Sequence, residues 1–186
     1  MKIRHALAVL ALTFGAASGA LAQTSMTAPY FGVKAGLLMA DSSYYDNAFN
    51  IGGLVGMNVV DLRRSGSTVP GTIAVEGELT LTAIKGDVNY NPPPVYPGIT
   101  GKWSAWTLGG YGVYRSPDAN GLYFKGKLGL VYSDVSVNIS GMPDSGSSVD
   151  LALGLGGGYR LSSQNSIEAE LTFINHLTFL SFGLNF

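Results

Sequence analysis

The feature that most constrains this chain is the way its charges fall on an alternating pattern. From residue 30 onward the sequence breaks into segments of about ten residues, in which apolar side chains alternate with small or polar ones. Successive side chains of a β-strand point to opposite faces, so such segments have one apolar and one polar face. Eight segments follow the pattern: 30–39, 49–60, 73–82, 102–115, 122–132, 149–161, 167–173 and 177–186. The polar parity collects Lys34, Glu76, Glu78, Lys125, Lys127, Asp150, Arg160, Glu168 and Glu170, and the apolar parity is assigned no Lys, Arg, Asp, Glu or His.

The last segment, LTFLSFGLNF, sets the frame. Thr178, Leu180, Phe182, Leu184 and Phe186 share one face, against Leu177, Phe179, Ser181, Gly183 and Asn185 on the other. A two-residue turn at Asn175-His176 pairs Ile174 with Leu177 and Phe173 with Thr178. The apolar sets of both strands then meet, whereas a slip of one residue would bring Glu170 among them. In the fourth segment Trp103, Ala105, Thr107, Gly109, Tyr111 and Val113 are assigned to the apolar, outward face.

Which face meets the solvent follows from energy. A Lys or Arg facing lipid at mid-bilayer costs about 2–4 kcal/mol, so a membrane barrel keeps its outer parity free of charge. A soluble sandwich or lipocalin-type barrel has the reverse polarity. Charged residues make up only 12% of the chain, about half the usual share, and Gly contributes 26 residues, of which those inside the segments lie mostly on the polar parity where a crowded lumen needs them. No apolar run reaches the length of a membrane helix. The expected fold is all-β, an eight-stranded antiparallel up-and-down transmembrane β-barrel, acting as a monomer. Its long connections, 40–48, 85–101 with Pro92, Pro93, Pro94 and Pro97, and 136–148, are expected as loops on one side.

Lys2, Arg4 and His5, an apolar run over 6–17 and the small-x-small site Ala20-Leu21-Ala22 read as a cleaved signal peptide over 1–22. A short lead at 23–29 and the barrel at 30–186 complete the expected domains. Both termini then face the periplasm of a Gram-negative cell, and the long loops face outward. Cleavage removes two cations and no acid, taking the formal charge from -1 to -3. With no basic stripe beyond Arg63-Arg64, no nucleic-acid partner is expected.

An eight-stranded barrel is just wide enough for its own side chains, so the inward charges must pair. The near balance of sign among the nine polar-parity charges predicts an ion-pair plug; a selective pore would carry an excess of one sign. Phe31, Trp103, Tyr111, Tyr132, Tyr159 and Phe173 are expected as an interfacial aromatic girdle. With no Cys and one mature histidine, His176, the chain offers no metal-ligand set, no cofactor site and no nucleophile–base pair, so no enzyme is expected.

The segments FKGKLGLVYSDV (124–135), GLGGGYRL (154–161), SIEAELT (166–172) and FLSFGLNF (179–186) resemble the small outer-membrane β-barrel family, the porin-like domain shared by the OmpA transmembrane part and the OmpX/Ail group. The resemblance covers about 30–186. It implies that Phe182, Leu184 and Phe186 form the signal read by the outer-membrane assembly machinery, and that lipid and lipopolysaccharide surround the barrel. The sequence ends at Phe186 without a peptidoglycan-binding segment, so a cell-wall-anchoring role is not implied. Some barrels of this size modify lipid A, but the His176-Leu177-Thr178 stretch departs from the deacylase pattern. The expected role is a structural or surface-exposed one, antigen or adhesin-like, with a narrow channel for small solutes as the alternative.

Overall fold

Alternation in the sequence becomes a closed sheet. The computed structural model describes residues 29–90, 99–139, 142–163 and 165–186. The predicted signal peptide, all of the lead except Pro29, and Pro92, Pro93, Pro94 and Pro97 lie outside the described residues. The strands are β1 (Tyr30–Ala40), β2 (Ala48–Asp61), β3 (Thr72–Ile84), β4 (Gly86–Tyr90), β5 (Ile99–Arg115), β6 (Leu122–Ile139), β7 (Met142–Arg160), β8 (Ser166–Ile174) and β9 (Leu177–Asn185).

Each strand pairs antiparallel with its neighbours in the order β3-β2-β1-β9-β8-β7-β6-β5, and pairing of β3 with β5 closes the ring of eight. The short β4 continues the line of β3 and pairs with the far part of β5, from Gly86↔Trp103 to Tyr90↔Ile99. Where β3 gives way to β4, the Thr82 hydroxyl accepts the Ala105 amide at 2.9 Å, so a side chain occupies a ladder position. Within the ring, closure removes the free edges that an open sheet would expose. Two ends result: a terminal end, where Phe31 and Phe186 exchange backbone hydrogen bonds of 2.9 and 2.8 Å, and a far end carrying the longer hairpins.

The two faces invert the polarity of a water-soluble protein. Phe124 is 77% exposed on the outside, while Lys127 is 2% exposed and Glu76 3% exposed on the inside. Along β6 the apolar outer positions run from Leu122 to Tyr132; the next outward residue, Asp134, bears the first charge. Ten residues at about 3.3 Å each, tilted by about 40°, give an apolar band about 25 Å tall, the height of a barrel's lipid-facing belt. Trp106 and Tyr132 (ring centroids 5.1 Å apart) sit at its far rim.

Two expectations fail. The face of the fourth barrel strand, β5, is inverted: Trp103, Ala105, Thr107, Gly109, Tyr111 and Val113 point inward, and Trp106, Leu108 and Tyr114 point outward. Packing explains it. Tyr111 fills space left by inward Gly109 and Gly129, where a Cβ would approach the Tyr111 ring to 2.7 and 2.8 Å. The Trp103 indole donates to the Asp46 carbonyl at 2.7 Å and meets Tyr45 edge-on. Second, the expected loops at 85–101 and 136–148 contain paired strand. β4 and β5 continue as one hairpin, and β6 and β7 pair from Ser133↔Ser148 out to Ile139↔Met142. The alternation Val135, Val137, Ile139 extends β6, and the partner strand supplies backbone hydrogen bonds whatever its Ser and Gly content.

Candidate functional site

The lumen holds two distinct neighbourhoods. Toward the terminal end, strands from around the ring project eight charged side chains inward. Lys34 on β1 donates to Glu78 and Glu170, each at 3.0 Å. Lys127 on β6 contacts the same two carboxylates at 2.9 and 2.7 Å and lies 4.0 Å from the Tyr111 ring centroid. Lys125 reaches Glu76, Glu168 and Glu170 at 3.0, 2.8 and 3.2 Å. The contacts to Glu76 Oε2 and Glu170 Oε2 have ion-pair distance without hydrogen-bond alignment. Arg115 on β5 bonds Glu76 at 2.5 Å and Glu168 at 3.4 Å. The Tyr30 and Tyr123 hydroxyls complete the lattice on Glu76 and Glu168, at 2.8 and 2.7 Å.

The structure thus brings together Lys34, Glu76, Glu78, Lys125, Lys127, Glu168 and Glu170, and adds Arg115, which the inverted reading of β5 had left out. Two expected members lie elsewhere. Asp150 sits at the far mouth, accepting from Ser148 and from Asn175 at 3.2 Å. Arg160 lies at the terminal rim, paired with Asp118 at 3.2 Å and half-exposed. Both keep the inward parity, but Asp150 lies too far toward the far mouth and Arg160 too far toward the terminal rim to reach the lattice. With these exchanges the lattice holds four cations and four anions.

Beyond a hydrogen-bonded group formed by Asn50, Thr80 and Thr107, an apolar layer fills the lumen. Leu38, Val131, Ile174, Leu177 and Phe179 pack there with Trp103. Above them opens a cup of about 360 Å³ between the β6–β7 hairpin, the 41–47 loop and the turn at Asn175-His176. The turn takes positive φ at Asn175 (44°), the left-handed conformation a two-residue hairpin asks of its first central residue.

On the outside, Phe31, Tyr159 and Phe173 are exposed, and Tyr132 packs on Trp106. Trp103 and Tyr111, assigned to the girdle from sequence, are lumen residues; Trp106 stands at the far rim in their place. Phe182, Leu184 and Phe186 lie exposed on the outer face beside the β1–β9 seam. His176 is in the far turn. Among the described residues no group of His, Cys, Asp and Glu has the arrangement of a metal site.

Residues 7–183 match the family described as the outer membrane protein beta-barrel domain. The chain belongs to this family. No curated protein matches the sequence. Among solved structures, neisserial surface protein A (NspA) aligns with a TM-score of 0.59 at 16% identity, covering 87% of this chain and 98% of that one. OprG from Pseudomonas aeruginosa aligns with a TM-score of 0.54 at 12% identity, covering 86% and 97%. The N-terminal β-barrel domain of Pseudomonas aeruginosa OprF gives 0.50 at 13%, covering 84% and 97%. At such identities the likeness is one of fold. Membership of the outer-membrane barrel family fixes the Gram-negative outer membrane as the setting for the inverted polarity described above.

Proposed function

We propose that this outer-membrane barrel is a non-enzymatic, surface-presenting protein with a lumen closed to solutes. Its termini lie in the periplasm, and the hairpins of its far end meet the outside. The observation that carries the first part is the balanced lattice: every one of its eight charges is paired, and an apolar layer lies above it. A conducting path would need a line of solvated, singly signed groups. Support for the second part comes from the strands that outrun the apolar band. Beyond Ala152↔Ile174, the outermost pair of β7 with β8, the described residues hold no strand against the edge of β7 from Met142 to Leu151, so its backbone groups are open to a partner. Phe182, Leu184 and Phe186 are proposed as the stretch read by the assembly machinery, and lipid and lipopolysaccharide as the barrel's surroundings.

Conductance tests closure: purified protein in planar bilayers is expected to give no stable single-channel current, and a reproducible current would overturn it. Orientation is tested through the absence of native cysteine. Ser145→Cys should react with a membrane-impermeant maleimide on intact cells and Ser163→Cys should not; the opposite pattern would invert the placement.

A further inference from the structure

The cup at the far mouth differs in chemistry from the lattice beneath it, and nothing in the proposed function uses it. Its base is apolar and aromatic: Trp103, Tyr45, Ile174 and Leu177 line it. Its walls carry Asp41 and Asp150, with Ser133 and Ser148 hydrogen-bonded side by side at 3.1 Å. His176 in the turn is the one basic side chain on the lining, neither Lys nor Arg lines the cup, and neither carboxylate has an ion-pair partner among the described residues.

Its walls are also tied together. The Asp41 amide bonds the His176 carbonyl at 3.0 Å, the Asp46 amide bonds the Asp87 carbonyl at 2.8 Å, and the Asn89 amide bonds the Tyr44 carbonyl at 2.8 Å. Gly86 lets Trp103 and Asp46 close on each other; a Cβ there would come within 2.2 Å of the indole nitrogen. The 41–47 loop is therefore held against the barrel mouth by backbone bonds, and the cup is preformed. A preformed concavity with an apolar floor and a few convergent polar groups is the usual form of a small-molecule site, and 360 Å³ falls within the usual range.

We propose that this cup binds a small protonated organic amine carrying an apolar or aromatic body. The body would rest on the half-buried Tyr45 and Val135, with the buried Trp103 ring edge-on behind Tyr45, and the ammonium group would face Asp41 and Asp150. Charge decides the class, since two carboxylates with no ion-pair partner beside the opening disfavour an organic anion of the same shape.

The test uses the full barrel refolded into phosphatidylcholine nanodiscs, with Trp106→Phe so that Trp103 alone reports. Three matched probes are titrated at pH 7: 2-phenylethylamine, 2-phenylethanol and 3-phenylpropionate. The amine is expected to change Trp103 emission saturably, about tenfold more tightly than the alcohol, as a charged hydrogen bond implies, with the carboxylate weakest. The Asp41→Asn/Asp150→Asn protein, its folding verified by heat-modifiable gel migration, should lose that preference. Equal affinity for amine and alcohol in the unmutated cup, absence of saturable binding, or an undiminished preference in the double variant would each overturn the proposal.

Discussion

Lys127→Met tests whether the lumen lattice is held by charge or merely by filling. Methionine has nearly the length of the lysine stem and keeps the packing over Gly154, so the change removes a cation and little else. Lys127 contacts Glu78 and Glu170 at 2.9 and 2.7 Å. With about 4 Å between charge centres and an effective dielectric of about 20, each contact contributes about 4 kcal/mol of attraction. Release of the ammonium's own burial cost offsets several kcal/mol of the two contacts together, which leaves a net loss of about 3–5 kcal/mol, the range measured when one member of a buried pair is removed. The lattice then carries three cations against four anions. Adding Glu78→Gln restores neutrality, so the double variant should be more stable than Lys127→Met alone by at least 1–2 kcal/mol. Urea unfolding in phosphatidylcholine vesicles, followed by tryptophan emission and gel migration, measures both. A cost below about 1 kcal/mol for Lys127→Met, or a double variant as weak as the sum of its parts, would refute the charge-balance account.

Arg115→Met should cost about 3 kcal/mol or more in the same assay, and Arg160→Met no more than about 0.5–1 kcal/mol, because the first breaks buried pairs and the second an exposed one. Gly129→Ala should prevent proper closure, since its Cβ would lie 2.0 Å from the Gly110 carbonyl oxygen, whereas Gly126→Ala meets nothing within 4 Å and should leave melting unchanged or slightly raised; circular dichroism separates them. Phe186→Ala should lower the fraction of heat-modifiable protein recovered from outer membranes while refolding into detergent stays intact. His176→Ala should leave the mass spectrum of lipid A from expressing cells unchanged, and an altered spectrum would restore the enzymatic alternative.

Seven of the eight barrel strands had legible faces because apolar and charged residues separated cleanly by parity. The remaining one, β5, misled through size. Its inner face holds Trp103 and Tyr111, fitted over lumen glycines, and its outer face holds Gly110 and Gly112, so bulk hydrophobicity points the wrong way. Arg115 was the available corrective: it shares the parity of Trp103 and Tyr111, and an outward assignment put a cation against lipid. The lattice was legible in outline because paired glutamates two apart on β3 and β8 face lysines two apart on β6. Its limits were not, since Asp150 and Arg160 share the inward parity and only their height along the barrel excludes them. The hairpins beyond the band were hidden by Ser- and Gly-rich composition. The cup draws on residues 41, 45, 103, 135, 150 and 174, and no local pattern joins them.

The reciprocal bonds between Phe31 and Phe186 make the first and last strands neighbours, so the sheet closes through a contact between the two ends of the barrel chain. Neighbouring hairpins form from nearby residues, but this seam brings together nearly the whole length of the barrel chain, the costliest loop to close and the slowest contact to find. Until β9 has emerged, β1 has an unsatisfied edge and the lattice lacks its outer wall, so no smaller fragment presents a finished lipid-facing surface. Closing the sheet therefore draws on the whole stretch from β1 to β9 at once.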